Sequence, residues 1–123
     1  MGLKDNLSLH PKRLFSSFRF AGNGLKLALH EPNIRVHAAA GIFVSAAGFI
    51  FELTRIEWCV LLLTIACVVS LEIVNTAIEK TVDLVTEEYR PLAKMAKDLA
   101  AGAVLFFACV AVIIGCILFI PKF

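Results

Sequence analysis

Three long apolar stretches alternate with charged segments along the chain. They cover 34–53, 58–83 and 92–120, and each is long enough to cross the roughly 30 Å hydrocarbon core of a bilayer as a helix. Segment 12–31 repeats apolar residues at spacings of three and four, which is the period of an amphipathic helix. Its basic residues lie largely off the apolar stripe, as in helices that lie on a membrane surface. The pattern predicts an all-α membrane protein with three spans and an N-terminal surface helix.

The second stretch carries a polar stripe within its apolar sequence. At about 100° per residue, its polar side chains fall within one stripe about 100° wide. A polar stripe on an otherwise lipid-like helix must face a partner helix, a ligand or water. Counting from the start of the span places its first carboxylate inside the membrane and its last at or beyond the boundary. The stripe consists of Glu72, Asn75, Thr76, Glu79 and Asp83.

Composition and charge agree with membrane insertion. Of the 123 residues, 59% are hydrophobic and 18% charged, and the mean hydropathy of +0.84 lies outside the range of soluble domains. Of 12 basic residues, all but Arg55 and Lys122 lie in 1–35 or 79–98. Because Lys and Arg mark the cytoplasmic side, we expect one multi-pass domain, 1–123, in the plasma membrane, with the N-terminus and 79–98 cytoplasmic. We expect no nucleic-acid partner.

Glu72 is the costly residue of the second span. A carboxylate in hydrocarbon costs on the order of 2.5–3.5 kcal/mol unless it is paired or protonated. No Lys or Arg lies between Trp58 and Glu79 to pair with it, and His37 is expected at the membrane interface. Glu72 is therefore a candidate for chemistry, although polar contact between helices would also account for it.

Three carboxylates on one helix face repel each other unless a cation joins them. Oxygen ligands suit Mg²⁺, so Glu79 is the best-placed metal ligand and Glu31 a second candidate. Lys97-Asp98, on the same side, adds a lysine that suits a phosphate partner. This order suits phosphoryl transfer from a cytoplasmic nucleotide to a lipid hydroxyl, with Glu72 accepting the proton.

Two other classes of protein stay open on these residues alone. Membrane carboxylates also relay protons in small transporters, and polar stripes also hold structural oligomers together. Against a transporter, the first and third spans carry no ionisable residue in their cores. The polar stripe also continues outward past the membrane boundary instead of across the membrane.

The stripe and its surroundings also resemble a known family signature. Glu72-Ile73-Val74-Asn75-Thr76-Ala77-Ile78-Glu79, then Val82-Asp83 and Ala96-Lys97-Asp98, are closely similar to the prokaryotic diacylglycerol kinase family. The resemblance implies an ATP- and magnesium-dependent lipid kinase, a homotrimer with shared active sites. It implies Glu72 as catalytic base with Asn75 beside it, and Glu31 and Glu79 as metal ligands. The nucleotide and cofactor positions that it implies are Arg13, Phe20, Glu31, Glu79, Asp83, Glu88, Tyr89, Arg90, Lys97 and Asp98.

Other residues resemble one branch of that family. Ile34–Ala40, Ile56-Glu57-Trp58 and Phe119–Lys122 look like the undecaprenol kinase branch of Gram-positive bacteria. The diacylglycerol branch has an acidic residue near His37, and a tyrosine where this chain has Phe20, so a hydroxyl contact is lost there. The resemblance implies undecaprenol as the lipid substrate, with diacylglycerol as the alternative.

Overall fold

The computed structural model describes residues 11–123, which are almost entirely helical. The helices are α1 (Pro11–Ala28), α2 (Pro32–Ile50), α3 (Arg55–Val85) and α4 (Pro91–Phe119), and a short 3₁₀ turn (Ile120–Lys122) follows α4. No strand occurs in 11–123, which confirms the all-α expectation. The chain divides after Glu31 into two compact units: α1 belongs to the N-terminal unit, and α2, α3 and α4 form the other.

Three of the helices are long and apolar enough to cross a membrane, as the sequence predicts. They are α2, α3, and α4 together with the 3₁₀ turn. Between 11% and 22% of their most apolar windows is buried inside the protein, so most of their apolar surface requires a lipid environment or another chain. Helix α3 is about 46 Å long, longer than a hydrocarbon core of about 30 Å. One end of α3 therefore extends beyond the core.

Helix α3 packs against both α2 and α4, and two glycines bring α2 close to it. A Cβ atom at Gly41 would lie 2.9 Å from Cγ2 of Ile65. A Cβ atom at Gly48 would lie 2.8 Å from Cη2 of Trp58 and 3.0 Å from Cδ1 of Leu53. Small residues let helices in membranes approach closely, and dispersion contacts then stabilise the packing.

The turn between α2 and α3 lies earlier than the sequence pattern predicts. We expected the first span to reach residue 53, but α2 ends at Ile50. The reason is Glu52, whose φ of 52° places it in the left-handed region and stops the helix. Thr54 then caps α3: its hydroxyl oxygen accepts from Glu57 N at 3.2 Å, and its own N–H donates to Glu57 Oε2 at 2.8 Å. This capping box fixes the start of α3.

The N-terminal end of α3 is closed by a further ion pair and by aromatic contacts. Lys122 Nζ lies 3.1 Å from Glu57 Oε2 and joins the end of the chain to the start of α3. Ring centroids are 4.8 Å apart for Phe49 and Trp58, and 4.9 Å apart for Phe51 and Phe123. Trp is enriched at membrane interfaces, so Trp58 suits this end to headgroup depth.

We expect Gly48→Ala to lower the thermal unfolding midpoint of the purified protein in detergent. The added methyl group meets Trp58 at less than contact distance, and overpacking of this kind costs about 1–3 kcal/mol. Gly22→Ala is the matched control, because a Cβ atom at Gly22 meets nothing within 4 Å and Ala favours the helix. Equal midpoints for wild type and Gly48→Ala would contradict tight packing at this site.

Candidate functional site

Two polar side chains of the predicted stripe are buried in the protein. Glu72 is 3% exposed and Asn75 is 6% exposed, and they lie one helical turn apart on α3. Thr64, two turns earlier, is also buried, but its hydroxyl donates to the Val60 carbonyl oxygen at 2.7 Å. Glu72 and Asn75 therefore face the protein interior and not lipid.

Helix α2 supplies a partner for the buried carboxylate. His37 Nε2 lies 3.8 Å from Glu72 Oε2. This separation is within ion-pair range but longer than a hydrogen bond. The side chain of His37 is 29% exposed and that of Glu72 only 5%. The histidine therefore forms the more accessible side of the pair.

The sequence interpretation missed this contact. It placed His37 at the membrane interface and sought a partner for Glu72 only among Lys and Arg. A depth count would have indicated the contact: measured from the turn at 51–54, the two residues lie within about 6 Å of each other along antiparallel helices. What the sequence does not provide is the rotation of α2 that turns His37 toward α3.

Asn75 and Glu79 form a second polar contact, one turn further along α3. The amide Nδ2 of Asn75 donates to Glu79 Oε1 at 3.3 Å. The amide oxygen Oδ1 is buried and has no hydrogen-bond partner among the described residues. Buried oxygens are nearly always satisfied by a donor or an ion. The orphaned oxygen therefore indicates a place for a donor or cation that a ligand would bring.

The oxygen atoms of Glu79 and Asn75 fit Mg²⁺, although these two side chains on α3 supply only part of a ligand set. Glu79 offers a carboxylate and Asn75 a neutral oxygen, both of the hard type that Mg²⁺ prefers. Within 11–123, no group of three or more His, Cys, Asp or Glu side chains is arranged to hold a metal ion. Mg²⁺ usually keeps several waters and binds through one or two carboxylates plus substrate phosphates, which is compatible with so small a set. The assignment of Glu31 and Glu79 as ligands stays a prediction.

One ion pair connects α3 to α4 at the far end of the stripe, and a second lies within α4. Lys97 Nζ lies 2.5 Å from Asp83 Oδ1, and the two side chains are 39% and 52% exposed. Lys94 Nζ pairs with Asp98 Oδ2 one turn along α4. Exposed pairs contribute only about 0–1 kcal/mol to stability. The consequence of the Lys97–Asp83 pair is geometric, because it holds Lys97 at the accessible end of α3.

Four of the other predicted nucleotide contacts line two different hollows. Glu88 and Arg90 lie in the connection between α3 and α4, 3.8 Å apart, and line an open hollow of about 580 Å³ with Asp83. Tyr89 and Asp98 line a separate hollow of about 690 Å³ on α4. The remaining three residues belong to the N-terminal unit: Arg13 and Phe20 on α1, and Glu31 after it.

Comparison with known proteins gives consistent matches over most of the chain. Residues 19–119 match the family model for prokaryotic diacylglycerol kinase. An undecaprenol kinase of Bacillus subtilis is 51% identical, with 89% of this chain and 90% of that protein covered. A diacylglycerol kinase of Synechocystis is 46% identical, with 97% of this chain and 69% of that protein covered. A diacylglycerol kinase of Escherichia coli is 32% identical, with 86% and 88% covered.

These matches settle the family. The family model spans the four helices from within α1 to the last residue of α4, so it includes the whole polar stripe. The resemblance seen in the signature Glu72–Asp83 is confirmed. The chain belongs to the prokaryotic diacylglycerol kinase family.

Proposed function

We propose that this protein is an undecaprenol kinase, which transfers the γ-phosphoryl group of ATP to the hydroxyl of undecaprenol and forms undecaprenyl phosphate. The match to the undecaprenol kinase of Bacillus subtilis, 51% identical over 90% of that protein, carries the choice of lipid. The diacylglycerol kinases of Synechocystis and Escherichia coli are 46% and 32% identical. Membership of a lipid kinase family also favours a kinase over a transporter or a structural oligomer.

Glu72 is the proposed general base. As the hydroxyl oxygen of the lipid bonds to the γ-phosphorus, the bond from that phosphorus to ADP breaks and the hydroxyl proton moves to the Glu72 carboxylate. Burial at 3% exposure supports this role, because water is largely excluded from the carboxylate. A positioned base of this kind contributes about 10²–10⁴-fold to the rate.

Glu79 and Asn75, with Glu31 as a further carboxylate, are the residues that we propose to hold Mg²⁺. The unpartnered Oδ1 of Asn75 beside Glu79 supports this assignment. Mg²⁺ held by these residues would neutralise charge on the transferring phosphate. Asn75 has a second proposed role, because its amide donates to the Glu79 carboxylate about two turns along α3 from the proposed base.

The nucleotide is proposed to lie over the accessible end of α3. Lys97, held by Asp83, presents a positive charge suited to phosphates. The hollows next to it are open surfaces on a single chain, which supports a site completed by a second chain in a homotrimer. Gly102 on α4, where a Cβ atom would meet nothing within 4 Å, leaves room for another helix. The proposed contacts are Arg13, Phe20, Glu31, Glu79, Asp83, Glu88, Tyr89, Arg90, Lys97 and Asp98.

We place the proposed site at the cytoplasmic face of the plasma membrane. Ten of the 12 basic residues lie in 1–35 and 79–98, which supports a cytoplasmic N-terminus and a cytoplasmic connection between α3 and α4. Helix α1 exposes Leu14, Phe15 and Phe18 beside basic residues, as a surface-bound amphipathic helix would.

Diacylglycerol is the second candidate substrate, supported by the Synechocystis relative that matches 97% of this chain.

We expect the purified protein to transfer radiolabelled phosphate from ATP to undecaprenol with a kcat/KM at least about tenfold higher than to diacylglycerol. This ratio corresponds to a difference of about 1.4 kcal/mol in transition-state binding. The two lipids are compared in the same detergent micelles. Faster transfer to diacylglycerol would contradict undecaprenol as the preferred lipid but would still support the proposed kinase activity.

Glu72→Gln is expected to lower kcat by about 10²–10⁴-fold, because the amide cannot accept the hydroxyl proton. The measurement is label transfer to undecaprenol at saturating ATP. Glu57→Gln makes the same change at the other end of α3, where Gln also satisfies a capping box, and should retain activity. A Glu72→Gln protein as active as Glu57→Gln would remove Glu72 from the mechanism.

Glu79→Ala and Glu79→Gln are both expected to raise the Mg²⁺ concentration for half-maximal activity, by about 10–100-fold. Gln keeps an acceptor for the Asn75 amide but lacks the charge, so it separates metal binding from the orientation of Asn75. Glu87→Gln, in the exposed connection, is the control. An Mg²⁺ titration unchanged in both Glu79 variants would place the metal elsewhere.

A further inference from the structure

His37 has no part in the function described so far, yet it faces the proposed base. Its Nε2 lies 3.8 Å from Oε2 of Glu72, on a neighbouring helix that Gly41 brings close to α3. A buried carboxylate is costly unless it is paired and hydrogen-bonded. His37 therefore gives the Glu72 carboxylate a polar partner from α2.

Several polar and charged side chains of α3 and α4 contact groups other than Glu72. On α3, Asn75 donates to Glu79. On α4, Lys97 pairs with Asp83 and Lys94 with Asp98. The imidazole of His37 is the group that the described contacts place next to Glu72.

A cavity between the helices ends at the same histidine. It has a volume of about 350 Å³ and is lined by His37 and Thr64 together with apolar or small side chains of α2, α3 and α4. The Thr64 hydroxyl already donates to the Val60 carbonyl oxygen. Among the described residues that line the cavity, His37 is therefore the polar side chain that also contacts the buried carboxylate.

We propose that His37 is the positioning residue of Glu72, an inference that rests on the proposed kinase function. The Nε2–H of the imidazole donates toward Oε2 and fixes the carboxylate plane, so that Oε1 is left to accept the proton of the lipid hydroxyl. Hydrogen bonds of catalytic groups are often long without substrate and shorten when it binds. A displacement of about 1 Å in such a group can cost about 10²-fold in rate, so orientation by a neighbour has a measurable effect.

The first experiment measures the effect of His37 on turnover. We expect His37→Leu to lower kcat for label transfer to undecaprenol by about 10–100-fold while KM for ATP and for the lipid changes less than about twofold. His37→Gln, which keeps an N–H donor of similar reach, should recover most of the loss. Ser45→Val is the matched control: it also replaces a polar side chain on α2, two turns further along, and should retain activity. Full activity of His37→Leu, or equal loss in the Leu and Gln variants, would overturn the positioning role and leave the kinase proposal intact.

The second experiment tests the contact without turnover. The protein carries three histidines, so the imidazole nitrogen signals of ¹⁵N-histidine-labelled protein can be assigned by the loss of one set in His37→Gln. We expect the Nε2 signal of His37 to shift in Glu72→Gln and to stay in place in Glu57→Gln, because only the first change removes the facing charge. A signal that is the same in wild type and Glu72→Gln would overturn the inference even if the protein proves to be a kinase. A clear shift in a protein that transfers no phosphate would instead overturn the proposed function and, with it, the catalytic meaning of the pair.

Discussion

The burial of one carboxylate in an apolar helix is the constraint on which the arrangement of α2 and α3 depends. Glu72 is 3% exposed, and a carboxylate in that position requires polar neighbours on a facing element. Helix α2 provides one through His37, and it can do so because Gly41 and Gly48 let the two backbones approach. The polar contact therefore depends on the close packing of α2 and α3, because larger side chains at the glycines would move the imidazole away from the carboxylate.

The two ends of α3 differ in their contacts and in their exposure. At its start, Glu57 completes the capping box with Thr54 and also pairs with Lys122, and aromatic rings pack beside it. Toward its end, the stripe passes from the buried Glu72 to the exposed Asp83, and the ion pairs are accessible. One end fixes the structure, whereas the other leaves carboxylates and amines within reach of a ligand.

Much of the fold and part of the candidate site could be predicted from the sequence. Helical period, apolar length and a dense local signature are each properties of one segment at a time. The three apolar helices, the polar face of α3 and the family follow from such local patterns. The contact between His37 and Glu72 did not follow, because it depends on how two helices rotate against each other. The predicted end of α2 lay about one turn too far along the chain, because Glu52 adopts a left-handed backbone conformation that is uncommon for glutamate. The nucleotide contacts stay predictions, since Glu88 and Arg90 line one hollow whereas Tyr89 and Asp98 line another.

The ion pair between Lys97 and Asp83 has a consequence for how an anionic ligand would be received. A free lysine loses side-chain conformational entropy worth up to about 1.5–2 kcal/mol when it is immobilised. Lys97 is already restrained at 2.5 Å from Asp83, so a phosphate group arriving there would meet an amine that is preorganised. The same aspartate competes for that amine, and because both side chains are partly exposed, added salt weakens the competition as well as the attraction. Ionic strength would therefore act on this end of the protein in two opposing directions, and the balance between them would set how readily Lys97 could exchange Asp83 for another anion.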